Sequence, residues 1–205
     1  MPDTSGKGCL FLLSGPSGSG KDTILKQVLA RLPDLHFSIS ATTRPRRDPS
    51  DDEKYHFMTR EEFEQGIAAG TFLEHARYVD HYYGTPAGPI EAWRAKGEDV
   101  LVECEVQGAL QIMQRVPDLT SIFIMPPSLA VLRRRLQNRQ TETAEQTEKR
   151  IQTALTEMRA APHYQYLVIN DALEDAVSQV CGIITAGRAA MARHIDFINE
   201  VLQSC

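Results

Sequence analysis

The sequence has few of the features that mark secreted, metal-binding or membrane proteins. Its 205 residues include four cysteines and no C-x-x-C pair, a pattern that favours unpaired thiols in a reducing compartment over a disulfide framework. The six histidines lack the spacing of metal ligands, so we predict no metal site built from protein ligands alone. No apolar run reaches membrane-spanning length, and Met1 to Lys7 has no apolar signal core. We therefore expect a cytoplasmic protein that does not enter a membrane.

Positive charge is also scarce. The chain has 22 Lys and Arg residues against 27 Asp and Glu residues, a formal net charge of −5. This balance argues against a general binder of nucleic acids or membrane surfaces. The composition is 42% hydrophobic, enough for a sizeable core, and the length fits one domain with small appendages. Any anion site must therefore depend on local positive charge.

The most informative stretch runs from Gly15 to Lys21 and reads GPSGSGK. A glycine, four residues and then Gly-Lys is the spacing of a phosphate-binding P-loop. The stretch lies between an apolar strand-like run and a helical apolar stripe, which is the order that a P-loop requires. Backbone N–H groups, a helix N-terminus and a lysine charge together suit phosphate. The predicted phosphate-binding residues are Gly15, Pro16, Ser17, Gly18, Ser19, Gly20, Lys21, Asp22 and Thr23.

Strand-like and helical segments alternate along the chain, which predicts an α/β, three-layer fold with a central parallel sheet. Two segments interrupt the alternation, at residues 36–84 and 139–149. A buried strand over Val100–Val102 is followed by Glu103 and Glu105. Because side chains two apart on a strand share a face, we expect these two carboxylates to project together at the carboxyl edge of the sheet.

The first interrupting segment contains three arginines within four residues, Arg44, Arg46 and Arg47. Beside several hydroxyls, they suit a phosphate dianion, because guanidinium groups match its oxygens. Charge alone leaves a solvated basic loop as an equal alternative. Thr59 and Glu62 form a capping-box pattern for a short helix, and aromatic and β-branched residues over 71–85 predict a hairpin or two short strands.

Taken together, these motifs resemble the guanylate kinase family, the nucleoside monophosphate kinases that transfer a phosphoryl group from ATP to GMP. The resemblance extends from Gly15 to about Asp171, and no single motif is decisive. Their order and spacing are specific. The motifs are the P-loop, Ser40 with Thr42–Arg47, Tyr55–Phe57, Glu74, Tyr82–Thr85, Gln107–Gly108, Pro126–Ser128 and Asn170–Asp171.

The resemblance implies a core P-loop domain (1–35, 85–138 and 150–205), a small mixed α/β GMP-binding insert (36–84) and a helical lid (139–149). It implies that the P-loop binds ATP, that Mg²⁺ accompanies ATP, and that Glu103 faces the metal through water. The implied GMP-binding residues are Ser40, Arg44, Arg47, Tyr55, Glu74, Tyr83, Thr85 and Glu105. The implied catalytic residues are Lys21, Arg44, Arg135, Arg139 and Arg150.

The sequence departs from the family pattern at a few positions. Asp22 stands where a magnesium-binding Ser or Thr is usual, which leaves Thr23 as a candidate substitute. Glu105 replaces a more common Asp, and Gln140 replaces a glycine that usually follows Arg139. A Gly-Lys-Asp loop also occurs in ribose bisphosphate kinases, so Asp22 favours that alternative. Against it stand Glu74 and Glu105, which a base-free sugar would not require.

A second alternative is a non-catalytic guanylate-kinase-like binding module. Such modules would lose the P-loop lysine or the lid arginines, whereas Lys21, Arg135 and Arg150 are present. The C-terminal segment is less informative: Ile195, Ile198 and Leu202 share one helical face. We expect this face to dock on the chain's own core, with a dimer contact as the alternative. The choice between monomer and homodimer, and the tolerance of dGMP, stay open.

Overall fold

The computed structural model describes residues 6–46, 55–78, 80–137 and 144–204. Strands and helices alternate outside residues 36–86, apart from two successive pairs of helices toward the C-terminus. The strands are β1 Leu10–Ser14, β2 His36–Ser38, β3 Ser40–Thr42, β4 Tyr55–Phe57, β5 Phe72–Tyr78, β6 His81–Pro86, β7 Val100–Glu103, β8 Thr120–Met125 and β9 Tyr166–Ile169. The helices are α1 Lys21–Arg31, α2 Arg60–Ala68, α3 Ala87–Ala95, α4 Val106–Arg115, α5 Leu129–Gln137, α6 Ala144–Met158, α7 Leu173–Arg188 and α8 Ile195–Gln203.

Five strands form a parallel sheet in the order β2-β7-β1-β8-β9. All five side chains of β1 are buried, because helices cover both faces of the sheet, as they do in most parallel sheets. Phe11 and Leu13 pack with Val177 and Val180 on the α1–α7 side. Residues such as Leu12 pack on the α3–α4 side. The α/β, three-layer fold with a central parallel sheet is therefore confirmed.

The order of the strands positions a site at one edge of this sheet. β1 lies between β7 and β8, and all three run in the same direction, so their carboxyl ends open at the same edge. The chain leaves β1 toward α1 on one face and leaves β7 toward α4 on the other face. Such a switch between adjacent parallel strands creates the crevice in which open α/β sheets bind ligands.

A second, four-stranded sheet has the order β4-β3-β6-β5. β3 pairs with β4 in parallel, while β6 is antiparallel to both β3 and β5. The ring of Phe63 on α2 stacks between Phe72 at 4.4 Å and Tyr82 at 5.2 Å between ring centroids. Burial of such a ring stabilises the unit by roughly 2–3 kcal/mol. Most of this sheet falls in the predicted mixed insert, 36–84, although β6 extends to Pro86, and β5 and β6 form the predicted hairpin.

The capping box predicted for the helix after Thr59 is confirmed. Thr59 and Glu62 form the capping box at the start of α2, and the Ser128 hydroxyl accepts a hydrogen bond from the N–H of Val131 at the start of α5. Cys9 and Cys104 are buried free thiols. The predicted lid segment, 139–149, lies partly outside the described residues, which resume at Ala144. No helix among the described residues is long and apolar enough to cross a membrane.

The C-terminal helix differs from the expectation. Ile195, Ile198 and Leu202 lie on α8 but remain 46%, 37% and 69% exposed. The expectation that this face docks on the chain's own core is therefore wrong for the described residues. In the described part of the chain, no α8 residue belongs to the apolar clusters on either face of the parallel sheet.

Candidate active site

The loop between β1 and α1 is shaped by its glycines. Gly18 and Gly20 have φ values of 84° and 92°, which L side chains rarely adopt. A Cβ on Gly15 would lie 2.3 Å from the carbonyl oxygen of Ile124, so the loop approaches β8 too closely for a side chain. These conformations let the loop fold back before α1 begins at Lys21, and a glycine-rich turn of this kind is the backbone form that proteins use to surround a phosphate.

Lys21 lies at the mouth of this loop. Its Nζ donates a hydrogen bond to the carbonyl oxygen of Gly15 at 2.8 Å and lies 3.9 Å from Oε1 of Glu103. Burial raises the pKa of the Glu103 carboxyl to about 6, although the charge of Lys21 acts in the opposite direction. Asp22 adds to the rise. The charge of Lys21 therefore lies close to two carboxylates, that of Glu103 at the end of β7 and that of Asp22 in α1.

Glu74 of β5 is buried opposite this loop. Its Oε1 accepts a hydrogen bond from the hydroxyl of Thr85 at 2.8 Å, because β5 and β6 pair Glu74 directly with Thr85. Burial raises the pKa of the Glu74 carboxyl, the Thr85 hydroxyl opposes the shift, and the charge of Glu105 adds to it. A carboxylate held in this way can only accept further hydrogen bonds when it is ionised.

Two tyrosines and an arginine lie together near Ser40 of the second sheet. The ring of Tyr55 lies 6.0 Å from that of Tyr83, in an edge-to-face arrangement. The guanidinium carbon of Arg44 lies 5.3 Å from the centre of the Tyr55 ring, and Arg44 is only 7% exposed. Burial raises the pKa of Tyr55, so this phenol stays a neutral hydrogen-bond donor at neutral pH.

The prediction that Glu103 and Glu105 share one strand face is wrong. β7 ends at Glu103, and Glu105 is the N-cap residue of α4. The alternation of side chains along a strand therefore does not reach Glu105. The two carboxylates still open into the same cavity, because the chain turns at Cys104 and begins α4 at the carboxyl edge of the sheet.

Arg135 and Arg150 reach the phosphate loop from α5 and α6. Arg135 donates to the carbonyl oxygens of Ser19 at 3.2 Å and Asn170 at 3.0 Å. Arg150 donates to Oγ of Ser17 at 2.6 Å. The two helices pack against each other through a small apolar core of their own, so both guanidinium groups are placed by one helical pair.

One cavity of about 750 Å³ joins these regions, a size typical of pockets for small molecules. It is lined by both sheets, and most of the predicted site residues reach it. The predicted residues that line it are Gly15, Ser17, Gly18, Gly20, Lys21, Asp22, Thr23, Ser40, Tyr55, Glu74, Tyr83, Glu103, Glu105 and Arg135.

The remaining predicted residues support the cavity from behind or lie elsewhere. Pro16 and Ser19 form the inner turn of the loop, where the N–H of Ser19 donates to the carbonyl oxygen of Pro16 at 3.1 Å. Thr85 lies behind Glu74, Arg150 holds the hydroxyl of Ser17, and Arg44 lines a neighbouring surface depression. The predicted residues Arg47 and Arg139 lie outside the described part of the chain.

Glu157 is a site residue that the sequence motifs do not predict. This residue lines the cavity, and its Oε2 accepts a hydrogen bond from the backbone N–H of Ser17 at 3.3 Å. Its spacing of seven from Arg150 puts both on one face of α6, a signal visible only once α6 is known to face the loop. Asn170 and Gln107 also line the cavity, although the motifs that contain them were assigned no role.

A parallel α/β sheet, a glycine-rich loop that leads into α1 and a lysine at its mouth define a P-loop nucleotide-binding protein. The family model described as guanylate kinase matches residues 7–187. The chain therefore belongs to the guanylate kinase family.

Relatives agree with this assignment over nearly the whole chain. A guanylate kinase of Latilactobacillus sakei is 44% identical over 97% of this chain and 98% of its own. A guanylate kinase of Thermus thermophilus is 46% identical over 96% of this chain and 90% of its own. The crystal structure of guanylate kinase from Anaplasma phagocytophilum has a TM-score of 0.74 at 29% identity, covering 92% of this chain and 90% of that one. A sugar kinase from a Janibacter species is similar in fold alone, with a TM-score of 0.53 at 16% identity.

Proposed function

We propose that this protein is a guanylate kinase that transfers the γ-phosphoryl group of ATP to GMP, reversibly, to give ADP and GDP. The observation that carries the proposal is the single cavity that contains both a P-loop with Lys21 and the buried Glu74–Thr85 pair. The first feature suits a nucleotide polyphosphate, and the second suits a base. The setting we propose is purine nucleotide metabolism in the cytoplasm.

The acidic side chains opposite the loop account for a preference for guanine. Guanine presents N–H donors at N1 and N2, whereas adenine has an acceptor at N1. Ionised Glu74 and Glu105 only accept hydrogen bonds, so adenine would leave a carboxylate facing an acceptor. A mismatch of this type lowers kcat/KM for the wrong base by on the order of 10⁴-fold. We assign base recognition to Glu74, Thr85 and Glu105.

The phosphate of GMP is assigned to the other half of the second sheet. Ser40, Tyr55 and Tyr83 line the cavity between Glu74 and Lys21, with hydroxyl groups that can donate to phosphate oxygens. Arg44 lies against the ring of Tyr55, and Arg47 completes the proposed set. This division makes residues 36–84 the GMP-binding region, although β2 at its start pairs within the parallel sheet.

The reaction needs no strong base, because the attacking atom is an already ionised phosphate oxygen. Repulsion between two polyanions opposes the reaction, so positioning and charge neutralisation are the main contributions of the protein. We assign these to Lys21 on the loop, and to Arg44, Arg135, Arg139 and Arg150 around it. Closure of the lid, residues 139–149, would exclude water and limit ATP hydrolysis.

Mg²⁺ is the proposed cofactor, bound together with ATP. It prefers oxygen ligands and retains several waters, and the cavity offers oxygens of Glu103, Asp22 and Thr23 beside Lys21. This donor set fits a hydrated magnesium ion. Bound there, the ion would neutralise phosphate charge. Glu103 would orient its waters, and Thr23 is the candidate for the hydroxyl that position 22 lacks.

One alternative is supported by a specific residue. Asp22 follows the P-loop lysine, as in ribose bisphosphate kinases, and it lines the cavity. A base-free sugar, however, offers no base N–H groups to the Glu74 carboxylate, which is buried beside the hydroxyl of Thr85, and burial of a carboxylate with unfilled acceptor sites is unfavourable. The position of Glu74 therefore favours GMP as the acceptor.

The test is ADP release from ATP and Mg²⁺ with separate acceptors: GMP, dGMP, AMP, UMP, CMP and ribose 1,5-bisphosphate. We expect rapid turnover with GMP and at least about 10³-fold lower kcat/KM with AMP, since the acidic pair discriminates between the bases. Turnover with the sugar bisphosphate and none with GMP would overturn the proposal. ATP consumption that no acceptor stimulates would overturn it as well.

A further inference from the structure

Gly108 occupies a position where glycine is unexpected. It is a buried residue in the first turn of α4, with Glu105 as the N-cap residue. Its φ is not in the left-handed region, since it is absent from the positive-φ glycines of the described residues. Glycine is among the poorest helix formers. The backbone conformation therefore gives no reason for glycine here, and the reason must lie in the space around it.

That space is filled by the carboxylate of Glu74. A Cβ built on Gly108 would lie 2.5 Å from Oε2 and 2.8 Å from Cδ of Glu74. Gly8 shows the contrasting case, in which the obstacle is backbone: a Cβ there would lie 1.8 Å from the carbonyl oxygen of Glu98. Backbone cannot yield without disturbing the fold, whereas the end of a side chain can turn. A methyl at position 108 would therefore move the Glu74 carboxylate and leave the sheet and the helix in place.

We propose that Gly108 is a positioning residue for guanine selectivity: its missing side chain lets the Glu74 carboxylate lie against the first turn of α4. The inference rests on the proposed function, in which Glu74 reads the base. Gly108 and Glu74 both line the cavity, so the contact between them lies at the ligand and not in the distant core.

The surroundings of Glu74 explain why this contact is restrictive. Oε1 is held by the hydroxyl of Thr85 at 2.8 Å, so pressure from a methyl on Oε2 would turn the carboxylate about that hydrogen bond or break it. The first-turn N–H groups of a helix carry partial positive charge, which favours a carboxylate near residues 106–108. Burial already raises the pKa of the Glu74 carboxyl. Moving the carboxylate away from these N–H groups would therefore destabilise its ionised form further.

The test compares Gly108→Ala with Gly182→Ala. Gly182 also lies within a helix, α7, and a Cβ there would meet nothing within 4 Å, so it controls for the added methyl and for helix propensity. We expect Gly108→Ala to lower kcat/KM for GMP roughly tenfold or more, mainly through KM, because displacement of about 1 Å has large effects on bound geometry. KM for ATP should stay within about twofold, and the far-UV circular dichroism should remain that of the wild type, since the methyl meets the end of a side chain and not the backbone.

A double-mutant cycle with Glu74→Asp separates positioning from other effects. Aspartate is one methylene shorter, so its carboxylate would withdraw from an added methyl. In the Glu74→Asp background, Gly108→Ala should therefore change GMP kcat/KM by less than about threefold, since the interaction it disturbs is already gone. An equal loss in both backgrounds would overturn the inference, as would a folded Gly108→Ala protein with wild-type GMP kcat/KM.

The cycle is interpreted against the wild-type protein and Glu74→Asp alone. If the wild type did not prefer GMP, or if Glu74→Asp left GMP kcat/KM unchanged, the proposed function of Glu74 would fail, whatever Gly108→Ala did. If both behaved as proposed and Gly108→Ala had no effect, the positioning inference alone would fail. The two failures are therefore distinguishable in one set of measurements.

Discussion

The two halves of the cavity are built from different parts of the polypeptide. The loop between β1 and α1 shapes its half through backbone, with Gly18 and Gly20 in left-handed conformations and the carbonyl oxygen of Gly15 accepting from Lys21. The half formed by the second sheet uses side chains, above all the buried Glu74 and its partner Thr85. Backbone groups suit phosphate, which every nucleotide carries, whereas side chains can distinguish one base from another.

This contrast has a consequence for mutation. On the phosphate side, most side-chain changes within the loop should be tolerated, and the exceptions are Lys21 and the arginines to which we assign charge neutralisation. On the base side, a change of one atom should alter the choice of acceptor.

The largest effect is expected for Lys21→Met, which keeps most of the side-chain volume and removes the charge. We expect kcat for GMP phosphorylation to fall roughly 10³-fold or more, because the role that we propose for the lysine charge is to stabilise the transferring phosphoryl group. Lys26→Met is the matched control, since Lys26 is an exposed lysine of the same helix. Comparable losses in both variants would show that the effect comes from α1 and not from the site.

Glu74→Gln tests the base side with a nearly isosteric change. It replaces one acceptor oxygen by an N–H₂ donor that would face the donors of guanine. We expect kcat/KM for GMP to fall about 10²-fold or more, with KM for ATP within about twofold, measured by steady-state kinetics with each substrate varied. Glu91→Gln, on the exposed face of α3, should change neither constant. Equal losses for GMP and ATP would contradict a role confined to the base.

The contrast also explains which features were predictable from the sequence. The P-loop is local: its seven residues, the strand before it and the helix after it are adjacent in the chain, so spacing alone located Lys21. The capping box of α2 was predictable for the same reason. Glu74 and Thr85 are eleven residues apart and meet through the register of β5 and β6. Family resemblance identified that pair, and residue spacing did not.

The site residues and contacts that the sequence did not predict have a common cause, which is the packing of elements that are distant in the chain. Glu157 contacts Ser17 across a sequence separation of 140 residues, and no local pattern encodes that contact. The sequence pattern extends the strand to Glu105, because an apolar run does not specify the residue at which a strand ends. In the structure, β7 ends at Glu103. The exposed face of α8 had an amphipathic pattern, but such a pattern does not specify what the apolar face contacts.

Glu103 lies between the two halves, and its protonation should affect stability. Its pKa is raised from 4.5 to about 6 by burial, so the folded protein binds this proton more tightly than the unfolded chain does. The stability that the protonated form contributes is present below pH 4.5 and is lost as pH rises through 6. Glu103→Gln keeps a neutral group at every pH. At pH 8 it should raise the free energy of unfolding by roughly 1–2 kcal/mol relative to wild type.

Urea unfolding at pH 8 and at pH 4.5 measures this difference. The gain from Glu103→Gln should be absent at pH 4.5, because the wild-type carboxyl is then neutral in the folded state too. The same comparison with Glu91→Gln, an exposed carboxylate, should give values near zero at both pH values. A gain at pH 4.5 as large as at pH 8 would point to altered packing and would contradict the electrostatic explanation.

The smallest effect is expected for Asp22→Ser, which restores the usual hydroxyl after the P-loop lysine. Asp22 is exposed and lines the cavity, yet the loop is shaped by backbone and by Lys21. We expect kcat/KM for GMP to stay within about threefold of wild type, since most magnesium ligands are phosphate oxygens and water. The Mg²⁺ concentration for half-maximal activity should fall modestly, and Asp22→Asn, without a hydroxyl, should not reproduce that fall. If Asp22→Ser instead abolished transfer to GMP, the acidic residue itself would be essential, and the phosphate side would depend on a side chain as strictly as the base side does.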